Sequence, residues 1–227
     1  MNSKAPDLVK ERPILFKGDM VNAILEGRKT QTRRVVKPQF DADGEPEEMC
    51  ATTSEGWQSA GHSGRWWDAC NGDDQAAINC PYGKPGDRLW VRETGWEPPE
   101  TTPKMLRDGA DTWPKYLYDA SIDQTEHEWC KEHAWKRRPS IFMPRWASRI
   151  TLEITDVRVE RLNDISEKDV MAEGCEWIDE VPSLFSFGNE HTSRSPKNSF
   201  RSLWESINGP GSWDENPWVW VVEFKKL

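Results

Sequence analysis

The chain has 227 residues, and its 30 lysines and arginines against 39 aspartates and glutamates give a formal net charge of −9, the wrong sign for wrapping a long phosphate backbone non-specifically. It contains no run of about 18 apolar residues of the kind a membrane span needs, and Met1 to Asp7 lack the apolar stretch of a signal peptide, so a cytoplasmic protein without membrane association is expected. The length suits one domain, residues 1–227, with insertions.

Arg12 to Phe16 reads as a short strand. Asp19 is placed to cap a helix whose apolar face is Met20, Val21, Ile24 and Leu25, and Gly27 supplies its left-handed stop. The chain then turns at Lys29 into a β-leaning segment, Thr30 to Val36. Basic residues gather here (Arg28, Lys29, Arg33, Arg34 and Lys37), which marks either a solvated face or a local basic site.

From about 37 to 79 periodicity is lost and Gly, Asp, Glu and Ser dominate, the composition of an insertion. Cys50, His62, Cys70 and Cys80 fall in or beside this stretch, but their gaps lack the paired spacing of zinc ribbons, and no metal is expected. The remaining cysteines, Cys130 and Cys175, leave an odd total of five without a CxxC, so free thiols are expected.

Arg88 to Glu93 alternates, with Leu89 and Val91 on one face and Arg88, Trp90 and Arg92 on the other, as a barrel strand would. A second insertion, about 95–144, holds a possible edge strand at Lys115 to Tyr118. Among the 14 tryptophans most are expected in packing, with Trp66, Trp67 and Trp135 as the candidates for stacking on a base.

The longest β signal changes parity. Ile150, Leu152 and Ile154 are followed by Val157 and Val159, which requires a bulge near Thr155–Asp156. Ser166 to Asp169 opens a short helix that Gly174 stops. A third polar insertion spans about 176–197. Ser199 to Ile207 then reads as an amphipathic helix with Phe200, Leu203, Trp204 and Ile207 inward, and Trp218 to Phe224 is the last strand. There is no GxxxxGK[ST], GxGxxG, HExxH or GxSxG, so no P-loop chemistry, hydrolase elbow or cofactor is expected.

Gly27-Arg-Lys-Thr-Gln-Thr-Arg-Arg34 resembles the G-x-K-x-x-[ET]-x-R signature of ASCH domains, matching at Gly27, Lys29, Thr32 and Arg34. Gly86-Asp-Arg-Leu is similar to the strand entry that follows in those domains. Ser166 to Glu173 resembles the acidic short helix of the bacterial ASCH amidohydrolases that act on N4-acetylcytidine. The whole length is similar to ASCH-like proteins of tailed phages and prophages, whose location would be the host cytoplasm. The resemblance implies an α+β fold: a small PUA-like (ASCH) β-barrel with short flanking helices and long polar insertions. It covers about half the chain, and the insertions have no counterpart in the small amidohydrolases.

The resemblance also implies a catalytic trio of Lys29, Thr32 and Glu173. Lys29 would take the proton of the Thr32 hydroxyl, Thr32 would attack an amide carbonyl, and Glu173 would protonate the leaving amine. Gly27, Arg34, Arg88, Trp90 and Arg92 are the substrate-binding candidates, Arg34 because it shares strand parity with Thr32. Hydrolysis of an N4-acylated cytidine and non-catalytic binding of RNA or a modified nucleotide both fit these residues. A phage assembly or anti-defence role, with the insertions docking a protein partner, is a third reading.

Overall fold

The structure is a computed structural model that describes residues 8–37, 57–59, 65–68, 78–100, 113–178, 184–187 and 191–227. In chain order these form β1 (Glu11–Leu15), α1 (Gly18–Leu25), β2 (Gln31–Val35), β3 (Trp57–Ser59), β4 (Arg65–Asp68), β5 (Ile78–Asn79), β6 (Arg88–Arg92), β7 (Gly95–Glu97) and β8 (Leu117–Tyr118). There follow α2 (Gln124–Glu132), β9 (Lys136–Arg138), β10 (Thr151–Arg161), α3 (Glu167–Ala172), β11 (Glu176–Ile178), β12 (Leu184–Phe187), β13 (His191–Ser193), α4 (Pro196–Asn208) and β14 (Trp218–Lys226). The architecture is mixed α and β. No helix among the described residues is long and apolar enough to cross a membrane.

A five-stranded sheet in the order β1-β6-β10-β14-β2 carries the main core. β1 runs parallel to β6 and the other pairings are antiparallel. β1 and β2 are the ends of the sheet, with no backbone ladder between them. The parity change in β10 is a real register shift between Ile154 and Asp156, and it keeps Leu152, Ile154, Val157 and Val159 all buried while residues 155 and 156 face out. In β14 both faces are covered, so Trp218 to Val222 are buried without alternation.

Two helix starts differ from expectation. Lys17 occupies the N-cap of α1 without a side-chain cap, and Asp19 lies in the first turn, where its charge faces the positive end of the helix. α4 begins earlier than Ser199, with Pro196 at its first turn. Its last apolar residue, Ile207, is 43% exposed rather than inward. The start of α3 is as read: the Ser166 hydroxyl accepts from the Asp169 amide.

The segment read as a polar insertion from 95 holds a core of its own. β7, flanked by β8 and β9, packs with α2 around Trp96, Cys130 and Trp135, closed in by Trp113, Leu117, Ile122 and Trp129. Trp135 is 4% exposed, so it is packing rather than a stacking platform. Its signal was masked because α2 fully buries Cys130 alone, leaving too faint a periodicity to read. The third insertion contains the β11-β12-β13 sheet. The side chains of Trp66 and Trp67, and Cys50, His62 and Cys70, lie outside the described residues, whereas Cys80, Cys130 and Cys175 are buried free thiols.

Candidate functional site

The end of α1 sets the first side chain. Gly27 takes φ +80°, and the amides of Arg28 and Lys29 both return to the Ala23 carbonyl, at 2.9 and 3.0 Å. The tight coil turns Lys29 inward. The next residue pins the turn on both sides: the Thr30 amide donates to the Ala172 carbonyl, and the Thr30 carbonyl accepts from the Phe224 amide, each at 2.8 Å. The loop is thereby tied to the end of α3 and to β14.

Glu173 follows α3 directly, and Gly174 leaves it with φ +102°. Lys29 Nζ donates to both the Glu173 carbonyl and its Oε2, at 2.7 Å each, across 144 positions of sequence. Both side chains are almost fully buried. Thr32, 2% exposed on β2, borders the same cavity, as does Arg34 two residues on. Arg34 donates to the Leu15 carbonyl at 2.8 Å, and its guanidinium lies 5.3 Å from the Phe16 ring centroid. The structure thus brings Lys29, Thr32, Arg34 and Glu173 together around a cavity of about 550 Å³, whose aromatic walls include Tyr82, Trp204 and Trp220.

One central residue was not foreseen. Arg33, with a side chain that is 0% exposed, reaches Glu173 Oε1 at 3.2 Å, Glu160 at 3.0 Å and Asp169 at 3.5 Å. Its Nε has no partner. Glu160 and Asp169 also pair with Arg158, which binds Glu223 in turn. On the same strand face as Arg33, Gln31 Nε2 donates to the Asp169 carbonyl at 2.9 Å. The available signal was parity: if Thr32 and Arg34 share one face, Gln31 and Arg33 share the other, and a buried arginine needs acids opposite it.

Burial, the largest influence on Lys29, pushes its pKa down; the Glu173 carboxylate pushes it up, Arg34 and Arg33 lower it again, and the net direction is downward. Both Glu173 oxygens accept from cations, Oε2 from Lys29 and Oε1 from Arg33.

The other predicted binding residues lie elsewhere. Gly27 shapes the turn and does not line the cavity. β6 buries Leu89 and Val91 in the main core and turns its other face toward the 140–147 turns. There Trp90 is buried between the guanidinium groups of Arg92 and Arg145, 4.6 and 5.7 Å from its ring. Arg92 donates to the Ile141 carbonyl and Arg88 approaches Glu11 at 3.9 Å. This face attaches neighbouring segments and does not line the Lys29 cavity. Among the described residues no group of His, Cys, Asp and Glu has the arrangement to hold a metal ion. Comparisons with protein families, with curated proteins and with solved structures give no match for this chain.

Proposed function

We propose that the cavity is a nucleobase pocket of the ASCH kind, on a PUA-like fold, and that it hydrolyses the amide of an N4-acylated cytidine. The observation that carries this reading is the buried contact of 2.7 Å between Lys29 Nζ and Glu173 Oε2 at the wall of a cavity that Thr32 also lines. The mixed five-stranded sheet with its bulge in β10 supports the PUA-like assignment, although its described strands form an open sheet and do not close into a barrel.

The reaction needs a neutral amine as base and a protonated carboxyl as acid. One proton passing from Lys29 to Glu173 along their hydrogen bond creates both forms at once. Neutral Lys29 then accepts the Thr32 proton as the Thr32 oxygen bonds to the amide carbonyl carbon. Glu173 gives its proton to the leaving nitrogen as the C–N bond breaks, and an acyl-threonine remains. Water, deprotonated by the Glu173 carboxylate, attacks the ester; the Thr32 oxygen leaves and takes a proton back from the Lys29 ammonium.

Binding of the same base without turnover is the second reading, and Arg33 favours it. Its guanidinium holds Glu173 Oε1 at 3.2 Å, so with Lys29 on Oε2 both carboxyl oxygens are already engaged in the unliganded cavity. Incubation with N4-acetylcytidine, following cytidine release, separates the two. Hydrolysis predicts turnover by wild type and its loss in both Lys29→Ala and Thr32→Ala. Saturable binding with no release in wild type would leave the binder.

A further inference from the structure

Charge on the cavity wall is unevenly spent. Lys29, Arg33, Arg34 and Lys37 border it against one carboxylate, Glu173, among the described residues. Lys29 and Arg33 are both committed to that carboxylate, and Arg33 to Glu160 and Asp169 as well. Arg34 and Lys37 have no carboxylate at ion-pairing distance among the described residues. Arg34 uses Nη2 on the Leu15 carbonyl and also hydrogen-bonds the Tyr82 side chain, which leaves the remainder of its five donors for another acceptor. Lys37 is exposed just beyond the end of β2. An uncharged base requires no such pair of cations, whereas a phosphate does, and the planar fork of an arginine matches its oxygens.

The space around Arg34 agrees. Arg34 and Tyr82 also border a second hollow of about 380 Å³ that extends to Thr94 and Ser140. A group held by Arg34 sits where the cavity meets this groove, with room for whatever follows the sugar.

Building on the pocket reading above, we propose that the ligand is a nucleoside phosphate, with its base in the cavity and its phosphate on Arg34 and Lys37. The phosphate belongs either to a free nucleotide or to a single strand that continues along the groove.

Calorimetric titration of the non-hydrolysing Thr32→Ala protein, used as the background throughout, with N4-acetylcytidine, with its 5′-monophosphate and with a short single-stranded RNA containing that base tests the assignment. The phosphate should tighten binding by at least about 10-fold, the size of one charge-assisted contact. Added salt should erode the advantage. In Lys37→Ala, whose exposed side chain makes folding failure no concern, the preference should fall toward unity. Tighter binding of the monophosphate than of RNA identifies a free nucleotide and the reverse identifies a strand; either outcome supports the assignment. Equal affinities for nucleoside and monophosphate would overturn it and leave the base pocket standing. A preference unchanged in both Lys37→Ala and Arg34→Gln would also overturn it. No binding by any of the three would remove the base pocket and the phosphate site together.

Discussion

Lys29, Arg33 and Glu173 form a buried set in which one carboxylate serves two cations. Removing the acid is therefore more damaging than removing either base. Glu173→Gln strands the Lys29 ammonium in a dry site, while Arg33 keeps Glu160 and Asp169, and breaking a buried pair in this way costs about 3–5 kcal/mol. The loss should depend on pH with a definite sign. In the variant the main influence raising the Lys29 pKa is gone, so its folded value lies further below the ordinary lysine value of 10.5. Below 10.5 the unfolded chain then binds more protons at this lysine than the folded one, and stability rises with pH through that window. Urea unfolding of wild type and Glu173→Gln at matched pH values would show the gap narrowing as pH increases. The comparison at each pH cancels the opposite trend from Cys80 and Cys175, whose thiols burial pushes up to about 11. A gap that widens with pH would mean that Lys29 is not the group left stranded.

At the scale of elements, two glycine stops bring the pair together, and their surroundings differ. A Cβ on Gly174 would lie 3.1 Å from the Ala23 Cβ and 3.2 Å from the Lys29 Cβ, whereas one on Gly27 would meet nothing within 4 Å. Both residues have positive φ, so alanine at either position carries backbone strain of roughly 1–2 kcal/mol. Only Gly174→Ala also presses on the stem of Lys29. It should lower the unfolding midpoint more than Gly27→Ala and weaken N4-acetylcytidine binding, which Gly27→Ala should leave unchanged; equal effects in the two variants would show that strain alone matters. Both stops were legible in the sequence, as were the cap at Ser166 and the bulge in β10, because each is local and has its own residue chemistry. Lys29, Thr32 and Glu173 were singled out by motif, and parity added Arg34. Arg88, Trp90 and Arg92 do not line the Lys29 cavity, and the alternation of their strand separates two faces without saying which one borders a cavity. Arg33 was passed over because its partners, Glu160, Asp169 and Glu173, are more than a hundred residues away.

The whole molecule has a second centre that composition concealed. The segment from about 95 to 144 reads as polar in sum, yet it gathers Trp96, Trp113, Trp129 and Trp135 around Cys130, separate from the main core. The two centres are joined through contacts along β1 and β6, among them Arg92 to the Ile141 carbonyl, Arg145 to Glu11 and Ser148 to the Val91 carbonyl. Arg149 holds the buried Glu93 with two hydrogen bonds, at 2.9 and 2.8 Å, and reaches Ser121, while Ala120 packs against Gly18 at the start of α1. Such a junction allows one centre to loosen before the other. Gly95 provides the means to test this, since it pairs with both Tyr118 and Arg138 in the small sheet. A Cβ there would run into the Tyr116 ring and the Leu117 carbonyl, closer than packing permits. Gly95→Ala should therefore separate β7 from β8 and reduce the near-ultraviolet circular dichroism of the tryptophan cluster. Thermal unfolding should split, with an early transition for the tryptophan cluster and a later one for the five-stranded sheet. Affinity at the Lys29 cavity should be unchanged, because every residue lining that cavity lies outside 95–148. A single transition, with cavity affinity falling in step with the tryptophan signal, would instead mean that the two centres fold as one cooperative unit and that the inserted core supports the pocket.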